Sequence, residues 1–416
     1  MIAVILFGLA ACQKHLKENE DEILSSSNGN HGGDDQTKKY SSKVARDWLN
    51  MQLRVIQSTA YPFAGVTSRF MGYIGVALYE SVVPGMPSYQ SLAGQLNGLG
   101  SLPHVVRGKD YHWPTVANAA MAKMIRNLYS ATSIANQLSI DSLENALNTQ
   151  FQSETSPGTF TRSANFGKAI AQAILDWSVT DGTSIVYPVY VPNPAPGSWA
   201  PTPPAFLAAV GPYYGNTRTF VSGSLNGSAP APPAPYSANP SSLYYQRMKE
   251  VYDVSQNLLQ KDSSQALYYR DNPGYQGGGG HYLSMLYQIL QIELPKLDQA
   301  AVAYAKTGIA LSDAYIGCWK VKYQYETERP IRYIRTELGH PLWNPLFGTP
   351  PHPDFPSGHS TLAGAVEIVF SDLFGKHYAF TNHAYDYLGM PPQVYTSFSD
   401  MAVQIGRSRV LAGIHT

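Results

Sequence analysis

The sequence predicts an all-α protein, two helical bundles packed together. Three observations carry this reading. From about Ser41 onward, apolar residues recur at three- and four-residue spacing in one segment after another. The long interruption, between Tyr187 and Pro240, is filled with Pro, Gly, Ser, Ala and Tyr and supports neither helix nor strand. The glycine-rich stretch from Gly274 to Gly280 has no Gly-Lys-Ser/Thr after it and no parallel strand before it, so it is not the phosphate loop of an α/β fold.

In chain order, Val44, Trp48, Met51 and Val55 form one helical stripe, and Thr67, Met71, Ile74, Leu78 and Val82 form the next. Gly72, Gly75 and Ala77 on that second helix would let a neighbouring helix come close. Further amphipathic helices are expected near 113–131, 138–152 and 162–179, the last carrying Phe166, Ile170, Ala173, Ile174 and Trp177 before Gly182. In the Pro-rich stretch, the runs 199–204 and 229–233 are accompanied by Tyr213, Tyr214 and Phe220. Such aromatics predict an extended strap packed on the helical body; a polyproline docking segment is the alternative. Helices resume at Ser241 with Tyr244, Met248, Val251 and Leu258. The glycine-rich loop then ends in His281, either a pocket residue or a satisfied structural histidine. A long helical pattern runs from Leu297 through Asp313 and Trp319 to Lys322. A last apolar stripe, Leu362, Ala365, Val366, Val369, Leu373 and Phe374, ends near Gly375.

With 416 residues, 44% hydrophobic and 12% aromatic, the chain can bury a substantial core. Its 29 Lys and Arg balance 29 Asp and Glu, so no global field points to nucleic acid, and any anion site must be local. The two cysteines, Cys12 and Cys318, exclude a disulfide scaffold. Leu9-Ala10-Ala11-Cys12 follows an apolar run too short to span a bilayer and matches a lipoprotein signal-peptidase site, with no Lys or Arg ahead of it. The expected organisation is therefore a signal peptide at 1–12 ending at the lipidation residue Cys12 and a polar tether at 13–40. An N-terminal bundle at 41–186, a strap at 187–240 and a C-terminal catalytic bundle at 241–416 follow. The protein would be exported and held at the periplasm or cell surface, touching the membrane only through its lipid. Cys318 reads as a small core residue.

Three short motifs carry chemistry. Pro356 suits a helix start, so Ser357, Gly358 and His359 place a hydroxyl, a bare backbone and an imidazole where open N–H groups and the helix dipole attract anions. Lys322 and Arg329 are seven apart. On a continuous helix they would share one face about 10.5 Å apart along the axis, although Pro330 biases Arg329 toward an extended conformation. Arg409 precedes His415 by six residues, with Gly413 placed to end the helix in a left-handed turn and swing His415 back. Singly these read as a capped helix, a solvated basic face and an ordinary helix end. Lys322 and Arg329 can converge on one anion, and the three motifs in this order, with helices between them, are more than the single readings explain.

Lys-x6-Arg-Pro, Pro-Ser-Gly-His and Ser-Arg-x5-His resemble the motifs of the vanadium-dependent haloperoxidases and their relatives, the type 2 phosphatidic acid phosphatases and bacterial acid phosphatases. The likeness to the soluble bacterial haloperoxidase branch extends over about residues 40–416, with Asp313-Ala314, Trp319, the strap at 199–204 and the run 349–353. It implies the vanadium haloperoxidase/acid phosphatase fold, with vanadate as cofactor and phosphate as a competing anion. Lys322, Arg329, Ser357, Gly358 and Arg409 would be oxyanion donors, His415 the axial ligand to vanadium and His359 the acid–base residue. Hydrogen peroxide and halide would be the substrates, with Lys322 polarising bound peroxide. Trp319 and His352 would lie in a second sphere, where a histidine at 352 is more like the bromide-oxidising type, so that bromide or iodide is expected over chloride. The family pattern continues to an aspartate four residues after the axial histidine. This chain stops at Thr416, which implies a less well oriented His415 and a chain truncated at its end. The alternatives are an exported acid phosphatase acting on phosphate esters through a phosphohistidine on His415, and a non-enzymatic surface lipoprotein for nutrient capture. A homo-oligomer is compatible with all three.

Overall fold

The computed structural model describes residues 36–416 except 62, 272, 276 and 277. Cys12, the signal peptide and most of the tether lie outside the described residues. The stripes read from the sequence fold as helices close to the expected positions: α1 (Lys43–Ser58), α2 (Gly65–Val82), α3 (Trp113–Leu128), α4 (Ile134–Glu154) and α5 (Pro157–Ser178). Ser133 and Ser156 start α4 and α5 by accepting hydrogen bonds from the N–H groups of Asn136 and Thr159. After the strap, with a 3-10 turn at Tyr214–Asn216 and the short α6 (Ser224–Gly227), come α7 (Leu243–Gln256), α8 (Gln260–Tyr268), α9 (Gly280–Glu293) and α10 (Leu297–Tyr325). Then follow α11 (Pro330–Thr336), α12 (Gly358–Phe374) and α13 (Phe398–Leu411). The all-α expectation holds but for one small antiparallel hairpin, β1 (Phe380–Asn382) and β2 (Gln393–Tyr395), pairing Phe380 with Tyr395. Three-residue strands give too short a pattern to be read against the helical background.

The centre of the molecule is the crossing of α2 and α10, which make the most extensive helix pairing. Glycine permits it. A Cβ on Gly308 would stand 2.4 Å from the Met71 carbonyl oxygen, and one on Gly75 would stand 2.8 Å from that of Tyr304. One continuous apolar core runs through this crossing, from Trp48 and Leu78 to Leu362, Phe370 and Ile405. None of the described helices is long and apolar enough to cross a membrane.

The Pro-rich segment is a packed strap, because its backbone finds partners on α10 and beyond. The Asp313 carboxylate accepts hydrogen bonds from the N–H groups of Phe220 (2.7 Å) and Val221 (2.9 Å) and from the Ser224 hydroxyl (3.2 Å). Burial outweighs those bonds and pushes the Asp313 carboxyl up to about 7. Further back, Trp199 is buried and the strap pairs with the segment after α10: Glu328 N–H donates to Gly197 at 2.8 Å, and Ser198 bridges Thr327.

The α2–α10 crossing makes opposite predictions for two glycines. Gly308→Ala should lower unfolding stability in urea by about 1–3 kcal/mol through overpacking. Gly364→Ala on α12, where a Cβ meets nothing within 4 Å, should raise it by up to about 1 kcal/mol.

Candidate oxyanion site

Lys322 reaches the site from the last turn of α10, fully buried, and donates to the carbonyls of Pro353 (2.7 Å) and Asp354 (2.9 Å). Burial pulls its ammonium down to about 7; neighbouring Arg329 adds to the shift, and Cys318 and Asp354 oppose it. Arg329 does not continue that helix. α10 ends at Tyr325, Glu326 turns left-handed (φ 48°), and Arg329 sits extended at φ −82°, ψ 149° ahead of Pro330. The two cations therefore converge from separate segments rather than along one helical face. Arg329 Nε donates to the His352 carbonyl and Nη1 to that of Ile414, both at 2.7 Å. Desolvation lowers its guanidinium to about 10.

Ser357 caps α12, its hydroxyl oxygen accepting from Ser360 N–H at 3.3 Å, which leaves the hydroxyl hydrogen free to donate. Gly358 and His359 occupy the first turn beside it. Arg409 lies in the last turn of α13, 2% exposed, with Nη2 donating to Ala266 (3.3 Å) and its guanidinium over Phe347 at 5.7 Å. As the sequence predicts, Gly413 is left-handed (φ 76°) and His415 turns back into the site.

His415 is where these parts meet. Its Nε2 accepts from Arg329 Nη1 at 3.1 Å, and its Nδ1 stands 2.7 Å from Asp354 Oδ1. The Nδ1 approach to Asp354 Oδ1 is a close ion-pair contact without hydrogen-bond geometry, while Arg329 Nη1–H leaves Nε2 as the acceptor. Burial first, then the fields of Arg329, Lys322, Arg409 and His359, hold this imidazole well below its ordinary value. Asp354, from the loop before α12, stands at this ring edge, a pairing that only folding brings about.

Asp271, too, meets its histidine only through folding. Its Oδ2 accepts from His359 Nε2 at 2.7 Å, while Tyr282 donates to the His359 carbonyl at 2.9 Å. Burial would raise the Asp271 carboxyl, but hydrogen bonds and charge from His281 and His359 reverse this and hold it well below the carboxylate range. Asp271-Asn-Pro-Gly274 reads as a turn, and nothing in it signals a partner 88 positions away. His281 is 2% exposed and bonds Asp271, so of the two readings the structure selects the structural histidine.

His352 and Trp319 border the cage. Arg329 Nη2 donates to His352 Nδ1 at 3.0 Å, and the Trp319 ring lies 4.9 Å from that of His352. Trp319 stacks on Tyr315 at 4.1 Å, donates to Val210 at 3.2 Å, and would touch a Cβ on Gly358 at 3.5 Å. It is both a core residue and a wall of the first turn of α12.

Among the described residues, the carboxylates acting on these three buried cations are Asp354 and Asp271. Removing charges from water without counter-ions is costly, and a tetrahedral anion would supply a further partner, with Ser357 and the open end of α12 as donors. Because the Lys322 proton is held only to about pH 7, phosphate affinity in the wild type should fall by up to about tenfold per pH unit above that value relative to Lys322→Gln. Isothermal titration calorimetry of both proteins across pH 6–9 checks this.

Comparison with known proteins finds likenesses in sequence and fold. The sequence model of the VCPO second helical-bundle domain matches residues 302–416, which include Lys322, Arg329, the 356–359 turn, Arg409 and His415. The vanadium chloroperoxidase of Curvularia inaequalis is 35% identical over 77 residues, 15% of this chain and 13% of that protein's length. A solved structure titled as the first bacterial vanadium-dependent iodoperoxidase is 28% identical, superposes with a TM-score of 0.81, and is matched over 90% of this chain and 91% of that one. The holo-type bacterial vanadium-dependent chloroperoxidase shares the fold at 14% identity and a TM-score of 0.60, over 85% of this chain and 87% of its own. Residues 302–416 thus match the VCPO second helical-bundle domain, and nearly the whole chain is similar in fold to the bacterial vanadium-dependent iodoperoxidase.

Proposed function

We propose that the protein is a vanadate-dependent haloperoxidase that oxidises halide with hydrogen peroxide to hypohalous acid, with iodide or bromide preferred to chloride. The observation that carries this reading is the 3.1 Å contact of His415 Nε2 with Arg329 inside a cage of three buried cations. A ligating imidazole nitrogen and an oxyanion cage are thereby joined in one place. Bound vanadate would supply the electrophilic centre that activates peroxide toward halide. Lys322, Arg329 and Arg409 would balance the charge of its oxygens, the Ser357 hydroxyl and Gly358 N–H would donate to them, and His415 Nε2 would hold the metal. Asp271 holds the Nε2–H of His359, so Nδ1 is the ring nitrogen left to take up and return protons. Halide preference rests on the likeness to the iodoperoxidase and on His352 beside Trp319. The buried carbonyls around Lys322 and Arg329 serve to aim these cations before any anion arrives.

Orthovanadate added to metal-free protein should be retained at about one per chain and should switch on peroxide-dependent halogenation of a phenol, fastest with iodide. Arg409→Ala removes one donor and should lower kcat by about 10²–10³-fold; near-normal turnover would overturn the assignment. Phosphate-ester hydrolysis without vanadate-dependent halogenation would instead establish the acid phosphatase.

We also propose export and lipidation at Cys12, on sequence alone. Cys12→Ser should move the protein from the membrane fraction to the soluble fraction when expressed with its own N-terminus.

A further inference from the structure

Asp271 accepts more than the catalytic histidine. Its Oδ2 faces His359, while its Oδ1 accepts from Tyr385 Oη and from His281 Nδ1 at 3.1 Å. Two histidines thus grip one carboxylate from opposite sides. The second is oriented from behind. Asn382, fully buried at the end of β1, donates from Nδ2 to His281 Nε2 at 2.9 Å. The direction of that bond is settled by the other end of the amide. Asn382 Oδ1 accepts from Ala384 N–H (3.0 Å) and from Gln288 Nε2 (3.2 Å), so the oxygen is committed and the nitrogen must face the ring. With Nε2 engaged as an acceptor, His281 meets Asp271 through Nδ1–H.

The rings of Tyr268, Tyr269, Tyr275 and Tyr385 pack around His281 at 5.0–6.2 Å between centroids and close this arrangement from water. The Asp271 backbone is itself left-handed (φ 60°), a conformation a non-glycine residue keeps only where its surroundings fix it. Its side-chain bonds to Tyr385, His281 and His359 are what fix it here. The unexpected hairpin gains a purpose as well: it delivers Asn382 to the back of the site.

We propose that His281 and Asn382 are positioning residues that set the tautomer and orientation of His359 through Asp271. Asn382 assigns the proton of His281 to Nδ1, His281 holds Oδ1, and Oδ2 is thereby aimed at His359 Nε2–H. Nδ1 of His359 is left toward the reaction. Neither residue touches the anion donors, so their loss acts on proton handling and not on anion binding. This inference rests on the proposed role of His359 as the acid–base residue.

The test pairs vanadate-free and vanadate-loaded full-length protein. In the vanadate-free protein, ring ¹⁵N signals of labelled histidine, assigned to His359 with a His359→Gln control, report its tautomer. The wild type should show Nε2–H, and His281→Leu should show a mixture. In the loaded protein, His281→Leu should lower kcat for phenol halogenation by about 10–100-fold, with the KM for peroxide and the affinity for orthovanadate changed less than about twofold. His281→Gln, which can donate to Asp271 and accept from Asn382, should restore most of kcat and the Nε2–H signal. If His281→Leu does not fold, Asn382→Ala should show the same mixed tautomer with a smaller loss of kcat. An unchanged His359 tautomer, or a loss of orthovanadate affinity as large as the loss of kcat, overturns the proposal. Absence of halogenation in the wild type would overturn the haloperoxidase reading alone, because the tautomer measurement still decides the positioning role.

Discussion

Burial of positive charge is the constraint on which the rest of this structure depends. Lys322, Arg329 and Arg409 are each at most 2% exposed, far from the bulk water that would normally solvate them. The protein meets the cost with backbone: carbonyls of Pro353, Asp354, His352, Ile414 and Ala266 all point at these cations. Irregular segments suit this task, since helix carbonyls are already committed to the ladder. The loop before α12 and the turn after α13 are therefore parts of the charge site as much as connections.

Those segments are in turn held by neighbours. Thr327 accepts the Asp354 N–H on its carbonyl (2.9 Å) and the Phe355 N–H on its hydroxyl (2.8 Å), and the strap pairs along the other edge of 326–328. Strap, linker and loop form three layers of backbone, so Arg329 and Asp354 share one frame. Val210 extends that frame, donating to Pro351 while its carbonyl receives Trp319 and Tyr323. A segment that looks structureless in composition thus fixes the wall of the cage.

Behind the cage lies a second, differently built layer. His359 looks forward to the cations and backward to Asp271, and Asp271 is fixed by Tyr385 and His281. The front of the site is governed by charge and the back by hydrogen-bond direction. A carboxylate stands near the ring of each histidine, Asp354 at His415 and Asp271 at His359, and the Asp271 hydrogen bond fixes the tautomer of His359.

The sequence by itself determined the helices, because their apolar spacing is local, and it determined the cage motifs, because capping, the pull of Pro330 on Arg329 and the turn at Gly413 are decided within a few residues. It also pointed to the close approach at Gly72 and Gly75 and to a packed strap, from glycine and tyrosine content. Only the tertiary structure decided which carboxylates serve the two histidines. Asp354 is 61 residues from His415 and Asp271 is 88 from His359, and an aspartate in a Pro- or Gly-rich turn looks alike whether it faces water or a buried imidazole. The same holds for Asn382, carried by a hairpin too short to show a period, and for His281, whose two readings differ only in what stands across from it. Local rules fix where the chain turns; which buried donor meets which acceptor is set by packing between segments distant along the chain.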